Sequence, residues 1–260
     1  MTSNYQIWQR RALLAGAAVA VFAWVKGAPY LLSLRDPNLE FDDIVGLEPF
    51  RRLLGTGTVT TSSGAIFAGL DTPEPSLVED ERMRQAVRDD PCAAIFGALQ
   101  TGIVPVAMFS DFACPICNLM NERLTELQTK HPNSFRIFRH ELPILGASSR
   151  TASRAVLAAD RQGAYLEMHK RLMRTPAVTD EAYVVRIADS IGLDSSRLLA
   201  DMNSGEIDQQ LSVSRAIADV FHFYGTPAFA IGRTVFLGSI SKSLLESLIA
   251  EETGNPCLTS

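Results

Sequence analysis

The sequence predicts an α/β domain whose strand-forming halves are separated by a long helical insert. Three observations predict it. The apolar run Ile103–Phe109, a helical stretch over Cys114–Lys130 and the alternating Phe135-Arg136-Ile137-Phe138-Arg139 give strand, helix and strand in close succession. A block with helical spacing then runs from about Ser148 to Phe221. Strands return at Pro227–Ile231 and Thr234–Leu237, and a helix over Lys242–Glu251 closes the unit.

Taken in order, the chain opens on Arg10-Arg11 followed by the apolar segment Ala12–Val25 and then Lys26. A charged start before a short apolar run reads as an export signal, and the run is short for a membrane span. The paired arginines resemble a twin-arginine signal. No clean small-x-small cleavage site precedes Pro29. Residues 1–28 are therefore read as an export signal or an N-terminal membrane anchor, and either one places the cysteines outside the cytoplasm.

Residues 29–88 are read as a linker and accessory segment. Gly55–Gly64 is loop-like or a weak hairpin, and Asp71-Thr72-Pro73-Glu74-Pro75 breaks the chain. A helix is expected over Ser76–Arg88, with Leu77, Met83 and Val87 as a thin apolar stripe, until Asp89-Asp90-Pro91 ends it. The main domain is placed at 89–254. Within it, Leu119, Leu124 and Leu127 mark the first helix and His131-Pro132-Asn133 stops it. The helical insertion spans about 147–222, with helices at Ala152–Ala159, Ala164–Met173, Asp180–Ile191, Asp194–Met202 and Glu206–Phe221. Gly163, Thr175-Pro176, Gly192 and Gly205 punctuate them. Residues 255–260 form a tail.

Cys114-Pro115-Ile116-Cys117 falls at the junction of the first strand and its helix. A helix start leaves N–H groups unpaired and a positive dipole end, so a cysteine there is favoured as thiolate, the form that attacks disulfides. The second cysteine, nearly a turn on, can close the ring and release a mixed disulfide. Pro115 suits the first helical turn, where its missing N–H costs little. Cys114 is the expected nucleophile and Cys117 the resolving thiol. A zinc site would need two more ligands. Cys92 and Cys257 are isolated, and no histidines make a second close pair. Those two cysteines flank the domain, whose termini are expected near each other, and they are candidates for a structural disulfide or two separate thiols.

A net charge of −5 without a Lys/Arg cluster argues against nucleic acid as a partner. The absence of a glycine-rich phosphate loop argues against a nucleotide cofactor, and no metal or other cofactor is expected. Downstream, Gly225-Thr226-Pro227 precedes Ala228-Phe229-Ala230-Ile231. A proline opening a strand needs an unpaired donor side or an unusual geometry, such as a cis peptide at Thr226–Pro227. That arrangement would leave the Thr226 N–H and C=O free to pair with an extended substrate.

Over residues 90–252 the chain resembles the DsbA-like thiol:disulfide oxidoreductases of the thioredoxin-like superfamily. The resemblance rests on Phe109–Cys117, Arg139-His140-Glu141-Leu142-Pro143-Ile144-Leu145, Ala158–His169 and Gly225-Thr226-Pro227-Ala228-Phe229. It implies a thioredoxin-like fold with an inserted helical domain and a cis proline beside the cysteine pair. From the residues themselves, Thr226, Pro227, Pro115 and Ile116 are expected to contact substrate, and Phe112, Ile116, Thr226 and Phe229 to form an apolar rim suited to unfolded chains. There are departures. The buried acid that the family often has six residues before the first cysteine is Met108 here, and Asp111 is expected at the strand end in solvent. Proton transfer from Cys117 would then rely on water. Ile116 replaces the histidine of strongly oxidising members, which implies a less stabilised thiolate and a weaker oxidant. His131 and His140 are read as structural or solvated, His169 as a helix-face residue, and His222-Phe223-Tyr224 as groove or core.

The function expected is an exported thiol:disulfide oxidoreductase acting on cysteine-containing unfolded or folding proteins, served by a membrane redox partner. The membrane is met only through the N-terminal segment. Oxidase, reductase and isomerase directions stay open. A Cu(I)-handling chaperone using the same thiols is the alternative from another class. A non-redox adaptor is disfavoured because both cysteines are present.

Overall fold

A computed structural model describes residues 39–61, 77–99, 102–174, 180–254 and 257. The expected export segment, the Asp71–Pro75 breaker and Thr175-Pro176 lie outside them. The elements are β1 (Phe41–Asp43), β2 (Arg51–Leu53), α1 (Leu77–Asp89), α2 (Pro91–Phe96), β3 (Val104–Ser110), α3 (Pro115–Lys130), β4 (Phe135–Glu141), α4 (Ala147–Asp160), α5 (Tyr165–Met173), α6 (Glu181–Ser190), α7 (Ser195–Met202), α8 (Gly205–Val220), β5 (Ala228–Ile231), β6 (Thr234–Leu237) and α9 (Lys242–Glu251).

The sheet order is β1-β2-β6-β5-β3-β4. β3 is buried along its whole length, as a continuous apolar run should be. It pairs parallel with β4, from Val104 opposite Phe135 to Ser110 opposite Glu141. On its other side it pairs antiparallel with β5, Val106 facing Ile231 and Phe109 facing Ala228. Pro105 fits this central strand because β5 ends at Ile231. The Pro105 carbonyl accepts from the Gly232 N–H at 2.8 Å, so the missing N–H falls at the β5–β6 turn, just past the end of the β3–β5 ladder. Aromatic pairs fill the space beside β3: Phe109 packs on Phe223 with centroids 5.2 Å apart, and Phe50 on Phe221 at 4.9 Å.

The insert has a core of its own. Ala152, Val156, Met168, Leu172, Val184, Leu198, Met202 and Ile207 are buried together between its helices. Asp180 and Asp194 cap α6 and α7, accepting from the Tyr183 and Arg197 N–H groups.

The expected linker at 29–88 contributes more than a linker does. From Glu40 onward the chain packs as one compact unit. β1 and β2 form an antiparallel hairpin, and β2 extends the sheet by pairing parallel with β6. Strands of three residues are too short to show alternation. What seats them is polar: Arg51 donates to Thr234 Oγ1 at 2.9 Å and to Glu252 Oε1 at 2.9 Å, and Thr234 donates to the same carboxylate at 2.6 Å. On α1, Met83 and Val87 pack against the core as expected. Cys92 and Cys257 form a disulfide with their Cα atoms 5.7 Å apart, tying α2 to the chain beyond the last helix.

Candidate functional site

β3 ends at Ser110, and the turn Asp111–Ala113 leads into α3. Cys114 is the N-cap of that helix, with extended backbone angles, and Pro115 occupies the first turn. The Cys114 sulphur accepts the Cys117 N–H at 3.2 Å, so it takes the place that a serine or aspartate oxygen fills at other helix starts. Both cysteines are buried free thiols.

Their surroundings drive the two thiols apart. The Cys114 pKa is lowered to about 6, chiefly by a hydrogen bond from the Cys117 side chain. Burial opposes this, and the Thr60 hydroxyl and the Cys117 N–H reinforce it. Cys117 is held well above the usual thiol range, first by burial and then by Cys114 itself. One thiol is thus a thiolate near neutral pH and the other keeps its proton.

The Thr226–Pro227 peptide is cis. Thr226 is fully buried, and its carbonyl oxygen lies 3.5 Å from Cys114 Sγ. Its backbone N–H and C=O are not free, in contrast with the sequence expectation. The Thr60 N–H donates to the Thr226 carbonyl at 2.7 Å, and the Thr226 N–H donates to the Thr60 carbonyl at 2.9 Å. The Thr60 hydroxyl lies 3.4 Å from Cys114 Sγ. Thr60 is the site residue that sequence reasoning missed. The signal available was the β-branched run Thr58-Val59-Thr60-Thr61 after Gly57, a strand-like composition inside a segment read as loop or weak hairpin.

Other expectations need correction. Asp111 is not solvated: it is fully buried and accepts from the Ala113 N–H at 2.7 Å, the Leu145 N–H at 2.8 Å and the Ser149 hydroxyl. A carboxylate at the end of a central strand is retained there because the turn and the α4 start supply donors. Phe229 is no rim residue, since it is fully buried and stacked on Phe236 at 4.8 Å. Phe112 belongs to the core of the insert. Next to Cys114 in the chain, Pro115 is exposed and Ile116 half-buried.

His140 and His169 are interior groups. His140 receives its Phe109 neighbour as a stacked ring at 4.4 Å and reaches the Ile95 carbonyl with Nε2 at 2.8 Å; burial lowers its pKa to about 4. His169, expected on a helix face, is buried against Tyr165 and Phe112, and burial lowers its pKa to about 3. Glu141, opposite Ser110, was not singled out from sequence. It is buried, accepts from the Tyr165 hydroxyl, and burial raises its pKa to about 7.

Among known proteins, a thioredoxin-like oxidoreductase from Silicibacter pomeroyi is similar in structure, with 33% identity, a TM-score of 0.57 and coverage of 61% of this chain and 95% of that one. The thiol-disulfide exchange protein alpha-DsbA2 from Wolbachia pipientis shares the fold at 20% identity and a TM-score of 0.57, covering 68% of this chain and 99% of its own. So does a periplasmic thioredoxin-like protein from Salmonella enterica serovar Typhimurium, at 20% identity and a TM-score of 0.55, with 71% and 100% covered. The Na(+)/H(+) antiporter NhaA 3 of Salinispora tropica is 31% identical over 134 residues, 49% of this chain. The chain spans about a fifth of the length of the curated antiporters it matches, 20% of this one. Residues 105–250 match the DSBA-like thioredoxin domain. With more than half of its length so matched, the chain belongs to the DSBA-like thioredoxin domain family.

Proposed function

We propose that this chain is a thiol:disulfide oxidoreductase that exchanges disulfides with protein cysteines through Cys114 and Cys117. The observation that carries the reading is the split between two neighbouring thiols, an N-cap thiolate with a pKa near 6 and a buried partner that holds its proton. That is the division of labour disulfide exchange needs: one sulphur attacks and leaves well, and the other stays shielded until its neighbour is engaged. Membership in a family of thiol:disulfide oxidoreductases supports it.

Reducing a substrate, the Cys114 thiolate attacks one sulphur of a substrate disulfide. A mixed disulfide forms, and the electron pair leaves on the other substrate sulphur, which takes up a proton. Cys117, on losing its proton, then attacks Cys114. The Cys114–Cys117 disulfide forms, the second substrate sulphur is released as thiolate, and two electrons have passed to the substrate. Oxidation is the same path reversed. Pro115, Ile116, Thr226 and Pro227 are the proposed substrate contacts beside Cys114. A thiolate pKa near 6 falls between the values near 7 and 3.5 that accompany reducing and strongly oxidising pairs. An apolar Ile116 between the cysteines accords with an oxidant weaker than the strongest of the family. The substrates proposed are cysteine-containing unfolded or folding proteins, and a membrane redox partner would restore the pair. The Cys92–Cys257 disulfide supports a place outside the cytoplasm, in the periplasm or facing it.

The test is turnover of a protein disulfide, such as insulin reduction in glutathione buffer, by wild type and by Cys114→Ser. Wild-type activity with loss in the variant is expected. Equal rates would remove the assignment. The midpoint potential of the Cys114–Cys117 pair, equilibrated separately in glutathione buffers, sets direction, with about −120 mV marking an oxidase and about −200 mV or below a reductase or isomerase.

A further inference from the structure

We infer that residues 57–61 are a built-in occupant of the groove that holds an extended substrate, with Thr60 standing where the substrate's cysteine must go. The inference rests on the proposed oxidoreductase function and concerns how a substrate reaches Cys114.

A chain that presents a cysteine to Cys114 can be held by the backbone edge beside that sulphur, the N–H and C=O of Thr226. Both are taken by Thr60, in an antiparallel bridge with bonds of 2.7 and 2.9 Å. The pairing continues along the segment. The Gly57 N–H donates to the Ser239 carbonyl and the Ser239 N–H donates to the Thr58 carbonyl, each at 3.2 Å. In this register Thr60 Oγ1 sits 3.4 Å from Cys114 Sγ. A substrate sulphur bonded to Cys114 would need that same space.

The groove is shaped for a backbone. A Cβ on Gly225 would come within 3.0 Å of the Thr60 carbonyl oxygen, and one on Gly238 within 2.3 Å of the Gly57 carbonyl oxygen. From the other side, a Cβ on Gly57 would meet the Ser239 carbonyl oxygen at 2.4 Å. Main-chain atoms therefore pack directly on main-chain atoms, and the occupant's residue opposite Ser239 has to be glycine.

What holds the segment also lets it go. Gly57, Thr58 and Thr61 are exposed, and Val59 and Thr60 are only half-buried, so it is retained by backbone hydrogen bonds with little apolar burial. Its affinity comes from backbone bonds that an extended substrate with a glycine in the matching place can also make, so such a substrate competes with it for the same edge. Occupancy by residues 57–61 thus screens Cys114 against casual partners and favours substrates that bring several backbone bonds at once.

The register is tested by trapping. Thr60→Cys is made in a Cys117→Ser background, so that Cys114 has one new partner within reach. Oxidised glutathione takes two electrons and two protons from the two thiols and leaves as two molecules of glutathione. Expected is an intrachain disulfide between position 60 and Cys114 in most of the protein, by peptide mass mapping, with none in a Val45→Cys control. If position 60 stays free to alkylate, the inference is overturned, whether or not wild type turns over insulin. The blocking role is tested by Gly57→Val, which pushes the segment off Ser239. A gain of about tenfold in the rate with a cysteine-containing peptide disulfide is expected if roughly a tenth of molecules are open at rest. An unchanged rate in a folded variant, against an active wild type, overturns the blocking role. A wild type with no exchange activity would instead refute the proposed function and leave the trapping result to decide the register.

Discussion

The sharpest prediction concerns the Cys114 thiolate. A pKa of about 6 against the ordinary 9.0 makes Cys114 roughly 90% ionised at pH 7, where an unperturbed thiol would be about 1% ionised. The gain in thiolate is about ninetyfold, but intrinsic nucleophilicity falls with pKa. With a Brønsted coefficient of about 0.45, three pKa units cost roughly twentyfold, so the net advantage at pH 7 is only about fourfold. At pH 5 the ionisation ratio is near 900 and the net advantage about fortyfold. The signature is therefore the shape of the pH profile more than its height. Reduced protein is alkylated with iodoacetamide between pH 4 and 10, and the Cys114 peptide is followed by mass. Half-maximal rate is expected near pH 6. Cys117→Ala removes the largest stabilising hydrogen bond and should move the midpoint upward. A wild-type midpoint at or above about pH 8 would refute the reasoning, since the N-cap bond and the Cys117 side chain would then stabilise nothing.

Three further outcomes follow from the packing. The Cys92–Cys257 bridge closes a loop of 165 residues, worth about 5 kcal/mol in the chain-entropy treatment, so Cys92→Ser should lower the urea midpoint markedly; an unchanged midpoint would show the bridge to be idle. Glu141, facing the Tyr165 hydroxyl, Arg139 and Asp111, has its folded pKa raised to about 7, so the stability it lends is fully present below about pH 4.5 and is lost as pH rises through 7. Wild type should lose on the order of 3 kcal/mol from this group between pH 4.5 and 8, and Glu141→Gln should flatten that slope in denaturation at the two pH values. Phe229→Ala should cost about 3–5 kcal/mol in thermal or urea unfolding, as a deleted core aromatic does, whereas a rim residue would cost far less.

Much of the domain was legible because its signals are local. The continuous apolar run of β3, the helix-opening Cys114-Pro115 and the glycines at 163 and 192 each state their structure within a few residues. The strand bounds of β6 and the closing helix α9 agree with the periodicity to the residue. The N-cap place of Cys114 was legible for the same reason, since it follows from one strand-to-helix junction. What stayed hidden depends on partners far away in sequence. β1 and β2 are strands because Arg51 reaches Thr234 and Glu252. Asp111 looks like a solvated turn residue until Leu145 and Ser149 bring their donors to it. Phe229 reads as a rim residue by its distance from the Gly-Thr-Pro, yet period-two alternation in a fully covered strand buries both faces. Thr60 sits in a segment whose structure is imposed by the edge it covers.

Thr60 couples access to redox poise. Its hydroxyl helps lower the Cys114 pKa while its backbone occupies the substrate edge. A donor that favours the thiolate favours the reduced pair, since the disulfide has no charge to stabilise, and so makes the pair more oxidising. Removing it works in reverse: each pKa unit lost is about 1.4 kcal/mol, or roughly 30 mV toward a more reducing potential for a two-electron couple. Thr60→Val keeps the shape and the backbone pairing and deletes only the hydroxyl. Its midpoint in glutathione buffer should therefore lie below that of wild type, with the alkylation profile shifted to higher pH in parallel. Gly57→Val, which displaces the segment without touching the hydroxyl, should shift both in the same sense. A potential unchanged in both variants would mean that Thr60 touches Cys114 without tuning it, and that the groove and the thiolate are independent. A shift in both would mean that releasing the segment at once opens Cys114 and lowers its oxidising power, so that the substrate's own hydrogen bonds at Thr226 must restore what the segment took away.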